Sequence, residues 1–329
     1  MGIDAALTKQ GALLVDKPAG PTSHDVVAVV RRALRESRVG HTGTLDPLAT
    51  GLLVILVGQA TRMAQFLAAD EKEYVADVRL GVATRTYDAA SLDDTSVRYP
   101  MPDGRWPMDV ELEAVLDRFR GSFLQTPPQF SAKKIAGVPA YDKARKNQVV
   151  ELKPVAVTVR ELEVLSGAGP TSDLRPPASS LIRLRVAASA GFYVRSLAHD
   201  IGQALGCGEH LEALRRTRVG RFRVEDSLTL DQLEARGAGA VIPLNDLLKD
   251  MPAVGLTPEG ARRAAHGNPL SPTHLEKGDS PLFQPENGDS PLFGNGDSPL
   301  FRVVDADGTL RAVAERRGDG LLHPLVVLG

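Results

Sequence analysis

Gly40-His41-Thr42-Gly43-Thr44-Leu45-Asp46-Pro47-Leu48-Ala49-Thr50-Gly51 runs straight into Leu52-Leu53-Val54-Ile55-Leu56-Val57. Three glycines and a proline in the first twelve residues predict an irregular loop. The unbroken apolar block that follows has the length of a buried strand. A loop carrying one carboxylate, one imidazole and three threonine hydroxyls thus leads onto rigid scaffold. Gly43 and Gly51 are expected to let the backbone turn tightly, and Pro47 to fix the chain just after Asp46. The residues alone leave two readings: a reactive side chain held on a buried strand, or a glycine-rich connector with a surface aspartate.

The chain has 329 residues, 43% of them hydrophobic. That is too long for one typical core and predicts two domains. No run of eighteen apolar residues exists, so no membrane span is expected. The N-terminus lacks a basic-then-apolar secretion pattern. The single cysteine, Cys207, excludes an internal disulfide and suits a reducing cytoplasm. Seven histidines show no paired spacing, so no metal site is expected. There is no Walker motif and no dinucleotide fingerprint after a strand, and the expectation is an enzyme that needs no cofactor.

The formal net charge of -2 at first argues against a nucleic-acid partner. The charge is unevenly placed. Lys133, Lys134, Lys143, Arg145 and Lys146 face only Asp142 between residues 131 and 146. Five arginines lie between Cys207 and Arg223 against Glu209 and Glu212, and acids gather from Glu276 onward. Such clusters are either basic faces that meet phosphates or ordinary solvated surface.

Leu13-Leu14-Val15 reads as a short strand, followed by the turn Asp16-Lys17-Pro18-Ala19-Gly20-Pro21. Thr22 and Asp25 have capping-box spacing, and Val26, Val27, Val30 and Leu34 share one helix face. Gln59 to Ala69 predicts a helix, and Lys72 to Gly81 a strand that begins with Tyr74. Tyr87 to Met108 reads as a loop, followed by a helix from Asp109 closed by Gly121. Gln125 to Lys146 mixes three prolines, Phe130, Tyr141 and five basic residues, which suits a mobile segment that closes on RNA. Val155, Val157 and Val159 alternate, as do Ile182, Leu184 and Val186, predicting strands of a largely antiparallel sheet. In Gly191-Phe192-Tyr193-Val194-Arg195-Ser196-Leu197-Ala198-His199-Asp200, a strand is expected to end near Val194 and a helix to run to Leu205. Arg195 then sits at a strand-to-helix corner.

After Met251-Pro252, Thr257-Pro258 opens a helix and Gly267 closes it. Gly-Asp-Ser-Pro-Leu-Phe occurs three times, from Gly278, Gly288 and Gly296, at periods too short for a solenoid. Its composition favours a flexible insertion, placed near 272–300. Short strands with Asp-Gly turns then complete a small β-rich module. The division expected is 1–250 and 251–329.

GHTGTLDPLATGLL resembles the signature of the TruB family of tRNA pseudouridine synthases. DKPAGPTSHDVV, the Lys72-x-Tyr74 pair, GFYVR and the block from Cys207 to Arg218 resemble further motifs of that family. Phe192 stands where threonine is common, and Glu209 where a small residue is usual. The resemblance implies an α+β pseudouridine synthase fold with a central, mostly antiparallel sheet flanked by helices. It also implies an RNA-binding insertion near 125–150 that wraps the T-arm, and a small C-terminal RNA-binding domain of the PUA type. Asp46 is the catalytic residue by that match, and Arg195 pairs with it. Tyr74 stacks on the target base and relays its proton. Tyr193 and Leu214 line the pocket, and Lys17, in the Lys-Pro loop near the active site, is expected to bind substrate with them. His41 reads either as a wedge against bases beside the flipped uridine or as a hydrogen-bonded loop histidine.

Isomerising uridine to pseudouridine breaks N1–C1′, turns the uracil and joins C5 to C1′, with no redox change. It needs one ionised carboxylate, and Arg195 is expected to keep Asp46 charged by lowering its pKa. The function implied is modification of uridine 55 in the tRNA T-loop, by a monomer that needs no protein partner. A tRNA-folding factor that needs no turnover is the alternative, and a guide-RNA-dependent relative is disfavoured by the long insertion.

Overall fold

The computed structural model describes residues 10–93, 95–99, 109–131, 134–135, 138–139, 152–166, 181–276 and 300–328. Among them the main sheet has ten strands. Its path runs Ile242–Pro243, Gly11–Lys17, Thr50–Val57, Glu209–Val219, Lys72–Leu80, Leu181–Ala188, Val155–Ser166, Gly121–Gln125. Neighbours are antiparallel except 50–57 with 209–219, which is parallel. The expected α+β class with a mostly antiparallel sheet is the observed one.

The 50–57 strand explains its own composition. Leu53, Ile55 and Val57 enter one apolar cluster with Leu13, Val15, Val26 and Val30. Leu52, Val54 and Leu56 enter a second cluster on the opposite face, with Leu14, Met63, Leu67 and Val313. A strand covered on both faces has no reason to alternate. Strands Lys72–Leu80 and Leu181–Ala188 do alternate, because only one face is covered. Tyr74, Ala76 and Val78 point inward with Ile182, Leu184 and Val186. Outward, Arg183 pairs with Asp77 at 2.6 Å and Arg185 with Glu163 at 2.8 Å.

Two helices cover the inner face near the site. Ser23–Leu34 starts at a Thr22/Asp25 capping box, as its spacing predicts, and buries Val26, Val27 and Val30. Val194–Leu205 follows Tyr193, which makes no side-chain cap bond, and ends at Gly206 in the left-handed region. The strand before it stops at Ala188 rather than near Val194, and a turn with Gly191 at φ 85° intervenes. Gln59 to Ala69 is a 3-10 stretch, Gly58–Met63, then a short helix, Ala64–Ala68. Gly58 at φ 63° and the Thr61 hydroxyl bonded to its carbonyl at 2.8 Å tighten that first turn.

The C-terminal β domain is a four-stranded sheet, Ala253–Gly255, Leu300–Val304, Leu310–Arg316 and Leu322–Val327. Thr257 caps the Pro258–Ala265 helix with Pro at its start. Val254, Leu256, Ala264, Leu275, Phe301 and Val303 form its own cluster, while Leu310, Val313 and Val326 pack beneath the main sheet. Most of the GDSPLF insertion, 277–299, lies outside the described residues. At its expected edges the chain is ordered instead: Leu275 is buried, and Phe301 of the third copy sits in a strand. Most of the basic segment after Ser131 also lies outside the described residues.

Candidate active site

The loop between His41 and Thr50 is fastened from below. Ser23 Oγ accepts from Leu45 N at 2.8 Å and donates to Leu45 O at 3.1 Å. Pro47 O accepts from Gly20 N at 2.8 Å. Gly40 and His41 belong to a short strand, Val39–His41, so the irregular part begins at Thr42, two residues later than the glycine pattern suggests. Gly51 has φ 98°, and a Cβ there would stand 2.3 Å from Arg216 O. Glycine is required by both facts. The chain also bends at Gly43, there without a positive φ.

The wholly buried Lys17 underpins the same loop. Its ammonium donates to Pro18 O and Pro21 O at 2.8 Å and to Pro47 O at 3.4 Å. The expectation that Lys17 binds substrate is therefore corrected. It is wholly buried, and its ammonium ties the Lys-Pro turn to the backbone beside Asp46. Burial pulls its pKa down to about 8, against the nearby Asp46 carboxylate.

Arg195, in the first turn of the 194–205 helix, reaches Asp46. Its Nε is 3.0 Å from Asp46 Oδ2, and one terminal nitrogen is 3.4 Å from Asp88 Oδ2. The remaining donors go to Thr86 O at 3.0 Å and Phe130 O at 2.8 Å. A side chain only 7% exposed thus has its charge matched and its fork filled. Asp88 was not legible in sequence, because nothing sets that acid apart within an acidic loop. Thr86 fixes it through a 2.6 Å hydroxyl bond, and Thr84 holds its carbonyl at 2.7 Å.

Asp46 is 39% exposed at the mouth of a cleft of about 400 Å³. Tyr74, Tyr193, Leu214, Lys72, Arg216 and Ser131 line the same space. Two rings and a leucine give it apolar walls of the kind a nucleobase fills. Gln125 fixes the Tyr193 backbone on both sides, at 2.8 and 3.1 Å. His41 lies beside the cleft rather than in its wall. It packs edge-on to His24 at 5.6 Å, and its Nδ1 is buried with no hydrogen-bond partner among the described residues. Burial chiefly, then His24 and Arg216, holds its pKa below the usual value.

Arg195 does lower the Asp46 pKa, as expected, but it does not decide the net shift. Protein crowds the carboxyl despite its exposed edge, and this desolvation raises its pKa above the ordinary carboxylate value. Arg195 pulls against that rise, Asp88 adds to it, and Lys17 opposes it. Burial also raises the Tyr193 phenol and lowers Lys72 to about 8.

The arginine-rich run after Cys207 is not one free basic face. Arg215 pairs with Asp16 at 2.8 Å, Arg218 with Glu71 at 2.8 Å, and Arg216 is buried.

Residues 31–194 match the family described as TruB family pseudouridylate synthase (N terminal domain). Residues 195–251 match the one described as tRNA pseudouridylate synthase B C-terminal domain. The chain belongs to the TruB family of pseudouridylate synthases. A TruB relative from Solibacter usitatus, tRNA pseudouridine synthase B, is 41% identical over 97% of this chain and 99% of its own. The protein of that name from Thermobifida fusca is 42% identical over 96% and 98%. A chain of a Cbf5-Nop10-Gar1 complex superposes with TM-score 0.66 at 25% identity, covering 94% of this chain and 79% of that one. A chain of an H/ACA RNP bound to substrate RNA gives TM-score 0.68 at 23% identity and shares the fold. The family is one of pseudouridine synthases, and the cleft beside the Asp46–Arg195 pair is the candidate site for that activity.

Proposed function

We propose that the protein converts uridine 55 in the T-loop of tRNA to pseudouridine, acting as a cytoplasmic monomer on the T-arm without guide RNA or protein partner. The observation that carries this reading is the Asp46–Arg195 pair, 3.0 Å apart, at a cleft walled by Tyr74, Tyr193 and Leu214. Residues 1–250 are the catalytic part and residues 251–329 a PUA-like RNA-binding part.

The target base leaves its stack, at a cost of a few kcal/mol, and enters between the tyrosine rings and Leu214. His41 fills the space beside the vacated stack. In its ionised form Asp46 supports the break of N1–C1′ as nucleophile or as counter-charge at C1′. Arg195 keeps the carboxylate aimed as the uracil turns and C5 joins C1′. Tyr74, against the base, is placed to relay the proton lost from C5.

Tritium release from a C5-labelled T-arm hairpin tests the reading. Wild type releases tritium with no added component. Asp46→Asn loses on the order of 10⁴-fold in rate, the scale of removing a central catalytic group, and binds the RNA with little change. Turnover by the asparagine variant would overturn the assignment. A pure tRNA-folding role has no use for an intact carboxylate, guanidinium and tyrosine around one cleft.

A further inference from the structure

Arg216 is one of the largest fully buried side chains of the protein, 2% exposed. Among the described residues it has no carboxylate partner. A buried cation without a counter-ion is costly, and a well-packed apolar residue would serve a core better. The cost is compounded by neighbours, since the charge of Arg216 also depresses the pKa of both Lys17 and Lys72.

Its donors show what holds it there. Nε donates to Leu52 O at 2.7 Å, and the terminal nitrogens to Gly43 O at 3.1 Å and Thr44 O at 3.5 Å. The Tyr74 side chain interacts electrostatically with the guanidinium and favours its charged form. Arg216 and Tyr74 are cross-strand partners in the 209–219 and 72–80 strands. A register shift between Leu211 and Ala213 brings Leu214 and Arg216 to the cleft side opposite Ala76 and Tyr74. The acceptors at Gly43 and Thr44 precede Asp46 by three and two residues.

We propose that Arg216 is a positioning residue that locks the Tyr74 ring to the backbone bearing Asp46. The base-stacking face and the carboxylate then keep one fixed separation while uracil turns between them. This rests on the function proposed above. A displacement of about 1 Å between such groups costs on the order of 100-fold in rate.

The test is a double-variant cycle on the tritiated T-arm hairpin, with Arg216→Lys, Tyr74→Phe and the pair, alongside Arg216→Met. Arg216→Met is expected to lower kcat about 100-fold while KM stays within about threefold. Arg216→Lys recovers part of the loss, because an ammonium still reaches some of the same acceptors. With Tyr74→Phe already present, Arg216→Lys costs at least about fivefold less than it does alone. Losses that simply multiply, or a rise in KM at unchanged kcat, overturn the proposal. If Arg216→Met fails to fold in a thermal melt, the Lys/Phe cycle decides alone. Wild type that releases no tritium refutes the proposed function and this inference together; active wild type with additive losses refutes this inference only.

Discussion

Arg195 Nε lies 3.0 Å from Asp46 Oδ2, and the same guanidinium lies 3.4 Å from Asp88 Oδ2. One cation therefore answers two carboxylates, both close to the N-terminal end of the helix that carries it. Without it, Asp46 and Asp88 would face each other in a desolvated site, where like charges cannot both stay ionised.

Arg195→Ala is expected to lose about 10³-fold in kcat. Its pH profile carries more information than its rate. Burial already raises the Asp46 pKa, so the acid limb of kcat/KM should lie above the ordinary carboxylate range. Activity falls as pH drops through that pKa and Asp46 takes up a proton. Removing the guanidinium lets the pKa climb further, so the limb moves to higher pH. Rates from pH 4 to 8 on the residual activity check this; a limb that stays put contradicts it.

Asp88→Asn separates charge from aim. Asp88 is one of the influences that raise the Asp46 pKa, so its neutralisation should shift the acid limb to lower pH. It also slackens the hold on Arg195, and kcat should fall about 10- to 100-fold. A slower enzyme with a lower acid limb is the expected combination in the same rate series.

Lys17→Ala should behave as a loss of scaffolding. Three carbonyls lose their donor, which costs about 1–3 kcal/mol of stability. The melting temperature falls, kcat falls with it as the Asp46 loop loosens, and affinity for T-arm RNA changes by less than about threefold. A direct RNA contact would show the opposite split, with weakened binding and a retained melting point.

Much of this was legible before any coordinates. The apolar block 52–57, the Thr22 cap and the alternation of 182–186 each follow from local rules, and each is where those rules place it. Tyr74, Tyr193, Arg195 and Leu214 could be gathered around Asp46 by motif resemblance, and the fold brings them to one cleft. What could not be read depends on long-range geometry. Register shifts in the 209–219 strand decide that Arg216 points inward, and period-2 counting has no access to a bulge. Lys17 looked like a turn lysine because sequence does not announce three carbonyls converging from Pro18, Pro21 and Pro47. The lowering effect of Arg195 on the Asp46 pKa is legible from the motif, but the larger upward push of desolvation is not.

Glu209 supplies the last prediction. Its side chain is fully buried, and neither oxygen has a hydrogen-bond partner among the described residues. His199 Nδ1 lies 4.0 Å away, and the 194–205 helix packs so closely that a Cβ on Gly202 would meet Glu209 Cγ at 2.1 Å. Burial, with a smaller push from Asp200, raises its pKa well above the model-peptide value of 4.5. Below that value folded and unfolded chains both hold the proton, and there is no penalty. As pH rises past it, the unfolded chain ionises while the folded one keeps its proton, so the folded state binds more protons and stability declines until the folded pKa is passed. Glu209→Gln keeps the shape and removes the titration. Thermal melts of the variant should show less decline between pH 5 and 8, and a midpoint at pH 8 a few degrees above wild type, the scale of about 1 kcal/mol in a chain this long. A variant whose midpoint follows wild type across that range would mean that Glu209 is ionised and satisfied in the folded protein.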